Sequence, residues 1–447
     1  MTMPLHDQPR GRFIHRTGRT GRRLATAFGL LCVATLAVAE TPLTSPPLTL
    51  DAAIAMVVSE NPGLAAIQAR ATALATLPEQ ADALPDPRLS MNLLNLPLDS
   101  LSFRQEPMTQ FQVGISQALP YPGKLRLRAQ SARHEAGAAE ADVAEKRLQL
   151  VRDVKTVWWN LFYLDRAVET VEKNYTLLTQ FVSIAETRYE VGQGLQQDVL
   201  LAQLELSKLR DARIRLLQLH SNETIRLNLL LNRPSDQAIR LSTRVKEELP
   251  PLARAADLQQ RARDRRPLLS AQQQRTEAAQ RRLELAHKDY APDFMLGAVY
   301  GFRDGDNPDG SRRADFGSIL FSMNLPLYSG SKQDQTVDQR NAEWLQKKYE
   351  LHEQGNQIDA EVSQAITDYQ RAAEQLLLFR QEIIPQARQT VDAMLGGYQV
   401  GKVDFLNLVR SQTTLYDYET QYWKALSAAN QALARLMAAV GEENIYE

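Results

Sequence analysis

The sequence predicts a mixed α/β membrane protein made of two tandem copies of one pattern. Three short landmarks recur in the same order at nearly one offset, between 205 and 209 residues. They are Asn61-Pro62 with Arg266-Pro267, Gln117–Pro120 with Met323–Pro326, and Tyr189–Gly192 with Tyr398–Gly401. Self-similarity at a fixed offset indicates an internal duplication. We predict a first copy over residues 40–240 and a second over 241–447.

Proline placement and apolar spacing predict unusually long helices. No proline occurs between Gly123 and Arg233, and Pro385 is the only one after Leu327. Because proline is costly inside a helix, this absence permits long ones. Apolar residues in both stretches repeat in steps of four and three, which is typical of coiled coils. The first run ends at Tyr189. We predict long helices over 123–190 and 332–400, and return helices over 196–231 and 403–440.

Segments of alternating polarity lie between the helical blocks and predict two β-hairpins, near 88–118 and 293–325. Each strand is about 10 residues long, the length of a membrane β-strand. Four strands in a bilayer would leave open edges, which lipid does not tolerate. The chain must therefore oligomerise if the hairpins span a membrane. Two chains would give a filled barrel, and three would give twelve strands and an open pore. Two soluble hairpins are the alternative.

The first 39 residues have the pattern of a secretory signal peptide. Six arginines and one acid, Asp7, precede the uncharged run Leu24–Ala39, which ends in an Ala-x-Ala site. This run is shorter than the ~20 residues that span a bilayer. Cys32 follows Leu31 rather than a small residue, so we expect no lipid anchor there.

Composition excludes several classes of protein. The 447 residues are 23% charged with a mean hydropathy of −0.36, unlike a helical membrane transporter. One cysteine excludes a disulfide scaffold. Removal of six Arg and one Asp with residues 1–39 leaves 46 basic and 52 acidic residues, so we expect no nucleic-acid partner. Phosphate-loop, nucleophile-elbow and zinc-protease motifs are absent from the sequence. We therefore expect no catalytic residues, no cofactor and no tight metal site.

These features together resemble the TolC-like outer-membrane efflux channels. The resemblance covers residues 40–447 and rests on the duplicated layout, the Tyr-x-Val-Gly helix ends and the Leu-Pro turns that follow the strands. It implies a homotrimer in the cell outer membrane, with a twelve-stranded barrel continued by a helical coiled-coil tunnel through the periplasm. It also implies the function of an exit duct in a tripartite pump. The expected partners are a periplasmic adaptor and an inner-membrane pump of the RND type.

The resemblance also implies roles for the helix ends. Tyr398 matches the family's gate tyrosine, and Tyr189 is its counterpart in the first copy. The lining acid expected nine residues on is Asp198 in the first copy. In the second copy Asn407 takes that place, and Arg410 stands where a further acid is sometimes found. These departures weaken the case for a strongly acidic gate. The adaptor is expected to dock at two pairs of tip residues, Val191 with Gly192 and Val400 with Gly401.

Two loops bear on the branch within the family. Leu84–Pro87, before the first strand, and Leu119–Lys124, after the second, resemble the heavy-metal branch. We therefore expect passive conduction of heavy-metal cations. A type I secretion duct or a multidrug duct of the same architecture is the first alternative. A structural coiled-coil protein of the periplasm is the second.

Overall fold

The structure is a computed structural model that describes residues 47–243, 245–443 and 445. The predicted signal peptide, with Cys32, lies outside these residues. The first copy has helices α1 to α3, strands β1 and β2, and helices α4 and α5. Their bounds are Leu50–Glu60, Pro62–Ala75, Leu77–Asp82, Arg88–Leu94, Gln110–Leu119, Lys124–Glu190 and Gln196–Leu230.

The second copy repeats this order. It has helices α6 and α7, strands β3 and β4, and then helices α8, α9 and α10. Their bounds are Ala255–Arg265, Pro267–Lys288, Phe294–Phe302, Phe316–Met323, Gln333–Leu378, Ile384–Gln399 and Phe405–Val440. A short 3₁₀ turn, Ser329–Ser331, precedes α8.

The second long helix differs from the prediction for 332–400 in one respect: it is helical over 333–399 but is not one continuous α-helix. A π-helical turn, Phe379–Ile383, separates α8 from α9. Its closing bond runs from the Ile384 N–H to the Phe379 carbonyl, five residues back. Pro385 follows at once, with no N–H to donate and a ring that conflicts with the carbonyl four residues before it. A wider turn at this point relieves that conflict.

Helix α4 is the longest element and the centre of the packing. Its 67 residues extend for ~100 Å at 1.5 Å per residue. Trp158 and Trp159 are buried in its middle, where Phe162 and then Trp423 of α10 extend the aromatic cluster. The tryptophan pair therefore stabilises helix packing.

The four strands form one antiparallel sheet in the order β1-β2-β3-β4. Both predicted hairpins are present, and β2 pairs with β3 to join the two copies. Neither β1 nor β4 has a second neighbour within the described residues, so the sheet has two open edges.

The two faces of the sheet differ in chemistry. Directly opposed residues share a face, so the register assigns each side chain. The apolar face carries Leu89, Met91, Leu93, Phe111, Val113, Ile115, Leu296, Tyr300, Phe302, Ile319 and Phe321. The other face is richer in small and polar residues, including Ser90, Asn92, Gln112, Gly114, Ser116, Gly297, Gly301, Ser318 and Ser322. Arg88 is the only charged residue in the four strands.

A buried lysine stabilises the connection between strand β2 and helix α4. Lys124 begins α4 and is 2% exposed. Its Nζ lies 3.0 Å from the carboxylates of both Asp289 and Asp293 and 3.3 Å from the carbonyl of Ala291. The Asp293 carboxylate also accepts the Tyr121 N–H at 2.8 Å. The turn after β2 in the first copy is thus tied to the turn before β3 in the second.

No single helix among the described residues is apolar and long enough to cross a membrane, although α1 with the α2–α3 segment, bent by 43°, meets the same test as a pair.

Candidate functional site

The candidate site lies at the two turns that end the long helices. The first tip turn, residues 188–195, joins α4 to α5, and the second, residues 397–404, joins α9 to α10. The two chain segments meet in an apolar cluster, here named the tip core. Its buried members are Leu178, Phe181, Val182, Ala185, Ala202, Tyr398, Phe405, Leu408 and Val409.

Both tip turns have the same backbone. In each, a glycine N–H donates to the carbonyl three residues before it, and the next N–H donates to the carbonyl five residues back. The pairs are Gly192–Tyr189 (3.0 Å), Gln193–Arg188 (2.8 Å), Gly401–Tyr398 (3.0 Å) and Lys402–Gly397 (2.9 Å). The glycine φ angles are +72° at Gly192 and +74° at Gly401, a region that disfavours other residues. The duplication therefore extends to one shared helix-ending motif.

The two turns differ in which of two neighbouring positions carries the large side chain. A Cβ at Gly194 in the first turn would lie 3.1 Å from the Cβ of Arg188. In the second turn Val403 takes the place of Gly194 and Gly397 takes the place of Arg188, and a Cβ at Gly397 would lie 2.5 Å from a Val403 methyl. Each turn thus has room for one side chain, and only the first turn places a charged group there.

Tyr398 is the most enclosed of the predicted site residues. Its side chain is 4% exposed in the tip core, and its ring centroid lies 5.2 Å from that of Phe405. The Arg188 guanidinium lies over the Tyr398 ring, 4.8 Å from the ring centroid. The Tyr398 hydroxyl is buried and has no hydrogen-bond partner among the described residues.

Arg188 ties the two tip turns together, a role that the sequence reasoning missed. Its Nη1 donates to the carbonyl of Tyr398, and its Nη2 donates to the carbonyl of Gln193 at 3.3 Å. The Tyr398 carbonyl lies in the last turn of α9 and the Gln193 carbonyl lies in the turn after α4, and a cation is favoured at such C-terminal helix ends. Arg188 is the one basic residue in the last turn of α4, and that position was the available signal.

Asp198 lies close enough to Tyr398 for their charges to interact. Burial and then the charge of Asp198 raise the pKa of Tyr398, while Arg188 opposes the shift. The pKa of Asp198 is also raised, chiefly by burial and further by the charge of Asp404, while Arg188 and a backbone hydrogen bond at Leu195 lower it. Asp198 lies in the first turn of α5 and Asp404 is the N-cap of α10, so the starts of the two return helices bring two carboxylates to one site.

The other predicted gate residues do not join this cluster within the protomer. Tyr189 is 48% exposed, so its place in the seven-residue run did not give it a buried environment. Asn407 and Arg410 are exposed in the first turns of α10. The predicted docking residues Val191 and Val400 are 62% and 68% exposed in the two tip turns. Two apolar side chains are therefore available there to a partner.

Long helices that carry one four-stranded sheet with two open edges are the architecture that the family resemblance implied for a single chain. The sequence matches the model of the outer membrane efflux protein family over residues 53–233 and 258–442. The chain belongs to this family, and the two matched ranges correspond to its two copies. It is an outer-membrane efflux protein.

Solved structures share the fold over most of the chain. The outer-membrane channel OprN matches with a TM-score of 0.75 at 19% identity, covering 88% of this chain and 89% of its own. VceC from Vibrio cholerae matches with a TM-score of 0.73 at 18% identity, covering 88% and 96%. CusC, described as a transmembrane channel, matches with a TM-score of 0.74 at 15% identity, covering 88% and 92%. The sequence matches no curated protein at a significant level.

Proposed function

We propose that three copies of this chain form one continuous duct that serves as the exit of a tripartite efflux pump. The observation that carries this proposal is the open sheet. Strands β1 and β4 run in opposite directions at its two edges. The β4 edge of one copy can therefore pair antiparallel with the β1 edge of the next. Three copies supply twelve strands and leave an aqueous lumen, whereas two would give a filled barrel.

The two sheet faces support the same arrangement. Apolar side chains such as Leu89, Ile319 and Phe321 are 67%, 85% and 62% exposed on one face. A lipid-facing barrel surface requires such residues, while an aqueous lumen takes polar ones. The serine- and glycine-rich face then lines the pore. With Arg88 as its only charge, this wall discriminates little between cations and anions.

The helical part extends the duct through the periplasm. Helix α4 alone is ~100 Å long, which suits a tunnel rather than a compact core. The partners in this proposal are a periplasmic adaptor, docking at Val191, Gly192, Val400 and Gly401, and an inner-membrane pump of the RND type. The duct conducts passively, and the pump supplies the energy.

We assign the resting gate to the tip core and its surroundings. Tyr398, Arg188 and Asp198 form the interacting set within one protomer. Tyr189, Asn407 and Arg410 are exposed and are assigned to contacts between protomers around the tunnel mouth. A hydrogen bond from the Tyr398 hydroxyl would need an acceptor outside its own protomer.

The substrate assignment is heavy-metal cations. Its support is the resemblance of Leu84–Pro87 and Leu119–Lys124 to the heavy-metal branch, together with the Asp198 and Asp404 carboxylates near the tip. A ring of acids at a narrow mouth attracts cations by focusing negative potential. A multidrug or type I secretion duct would use the same fold. Family membership argues against the structural coiled-coil alternative.

Susceptibility of a deletion strain, with and without the intact gene, tests this assignment. Selective sensitivity to copper, silver, zinc, cobalt or cadmium is the expected result. Sensitivity to dyes, detergents and antibiotics with normal metal tolerance would replace the metal assignment by a multidrug one. Loss of export of one polypeptide alone would favour type I secretion.

A further inference from the structure

The π turn Phe379–Ile383 interrupts a regular pattern of buried residues. Above the turn, the side chains that face the core follow steps of four and three: Ile358, Val362, Ala365, Tyr369, Ala372, Leu376 and Phe379. Below the turn the same steps resume: Ile384, Ala387, Val391, Met394 and Tyr398 are buried or half-buried. The interval across the turn is five residues instead of four. The turn therefore holds one residue more than the pattern requires.

Comparison of the two copies gives the same result. The core positions of α4 in its middle, such as Leu150, Val157 and Leu164, match residues 208 positions later. Near the tip, Val182 and Ala185 match residues 209 positions later. The offset grows by one across the π turn, while α4 has no π turn. A π turn is the form in which an α-helix accommodates a single extra residue.

The extra residue determines which side chains face the tip core. If 379–399 formed one continuous α-helix, the core-facing positions would be Ile383, Gln386, Thr390, Ala393 and Gly397. One residue corresponds to a rotation of about 100° around the helix axis. In that arrangement Tyr398 would leave the tip core, and Gly397 would replace it. Burial of Val391 and Tyr398 therefore stabilises the π turn against the continuous helix.

Two features reduce the free-energy gap between these arrangements. The buried Tyr398 hydroxyl has no partner, which destabilises the arrangement seen here. A cleft of ≈ 370 Å³ lies against the π turn, between it and helices α4 and α10. Arg380, Ile384 and Arg388 line it from the turn side, so this part of the helix is not tightly enclosed. Two features oppose the conversion: Arg188 holds the Tyr398 carbonyl and ring, and Pro385 lacks an N–H and conflicts with the carbonyl four residues before it in a continuous α-helix.

We propose that Phe379–Ile383 is a register switch. With the π turn present, Tyr398 lies in the tip core under Arg188. When the turn converts to α-helix, α9 rotates by about one residue step, Tyr398 leaves the tip core, and the tip is released. As a gating device this rests on the proposed function, since it links opening of the duct to a change in one helix.

Two single-cysteine variants at neighbouring positions of α9 test the switch in the full-length channel. Cys32, the only native cysteine, is replaced by serine, and Thr390→Cys and Val391→Cys are made separately. Thr390 is exposed and Val391 is 7% exposed, so a maleimide should label residue 390 quickly and residue 391 slowly. Adding Arg188→Met should accelerate labelling at 391 by about tenfold or more, since a protected site must open before it reacts, and should slow labelling at 390.

A deletion provides the matched control. Removing Gln381 together with Pro385→Ala gives a continuous α-helix that still directs Val391 and Tyr398 to the core. In this background Arg188→Met should leave the parent labelling pattern in place. Acceleration at both positions, or at neither, in the Arg188→Met channel would overturn the proposal. So would a reversal that persists after the deletion. Labelling is read without transport, so a reversed pattern in a non-conducting channel would count only against the exit-duct function.

Discussion

Replacing Arg188 by methionine should shift the tip toward its released form. The substitution keeps most of the apolar length of the side chain but removes two hydrogen bonds, to the carbonyls of Tyr398 and Gln193. It also removes a guanidinium 4.8 Å from the Tyr398 ring centroid. Hydrogen bonds from charged donors contribute about 1.5–3 kcal/mol each, and a cation–π contact about 0.5–2 kcal/mol.

The bond to Gln193 is long and the site is half-buried, so the total loss is about 2–4 kcal/mol. That corresponds to a change of roughly 30- to 1,000-fold in the ratio of closed to released tips. Single-channel recording of the purified protein in a planar lipid bilayer measures this ratio as open probability. Arg188→Lys should have an intermediate effect, because an ammonium cannot place two donors in the guanidinium's planar geometry.

Arg210→Met is the matched control. Arg210 also donates to a tyrosine, the Tyr175 hydroxyl at 2.7 Å, and lies 5.5 Å from its ring centroid, but this contact joins α5 to α4 outside the tip turns. The Arg210→Met substitution should leave the open probability unchanged. If Arg188→Met and Arg210→Met behave alike, the assignment of Arg188 as the tie between the tip turns is wrong.

Four further predictions follow from named contacts. Tyr398→Phe removes a buried hydroxyl without a partner in its protomer, so resting conductance should not rise; a rise would reveal a bond between protomers. Because the pKa of Asp198 is raised, protonation of its carboxyl group stabilises the closed tip, and this stabilisation is lost as pH rises through that pKa. Acidification from pH 7 to about pH 4 should therefore lower the open probability. Asp198→Asn should abolish that dependence, and a dependence that survives would contradict it. Lys124→Met leaves two carboxylates without their cation and should cost about 2–4 kcal/mol, seen as a lower melting temperature in detergent than for Lys124→Arg; equal melting would refute the junction role. Arg266 and Glu145 form a buried ion pair at 2.8 Å, so Arg266→Met alone should leave the Glu145 carboxylate unpaired and destabilise the protein by about 3–5 kcal/mol. Adding Glu145→Leu should restore most of the melting temperature, and an additive loss in the double variant would contradict this prediction.

The strands and the first long helix were predictable because their signals are local and continuous. Alternation in 294–302 and 316–323 has no interruption, and no proline disturbs 124–190. Such patterns depend on which residues neighbour each other along the chain. The family resemblance, confirmed by the match over both copies, came from short motifs at the helix ends.

The π turn and the tip contacts were less accessible to sequence reasoning. The four-and-three spacing in the sequence continues without a visible break from Phe379 to Ile383. Ile383 and Ile384 are both apolar, so the extra residue in the π turn leaves no mark in that spacing. Tyr189 fits the same spacing as Tyr398 but is exposed, because the tip core forms on one side of the turns only. Arg188 was missed because its partners are backbone carbonyls 5 and 210 residues away, which no residue pattern records.

Closure of the sheet into one ring is the central claim, and cross-linking of its two edges tests it most directly. Ser90 on β1 and Ser318 on β4 lie on the same face at opposite edges, in one row of paired residues. A Ser90→Cys, Ser318→Cys channel in outer membranes, treated with a short bifunctional maleimide, should give one-, two- and three-chain bands on a denaturing gel and nothing larger. Either single-cysteine variant should give no ladder. A ladder that stops at two chains, one that continues past three, or no cross-link at all would contradict a ring of three.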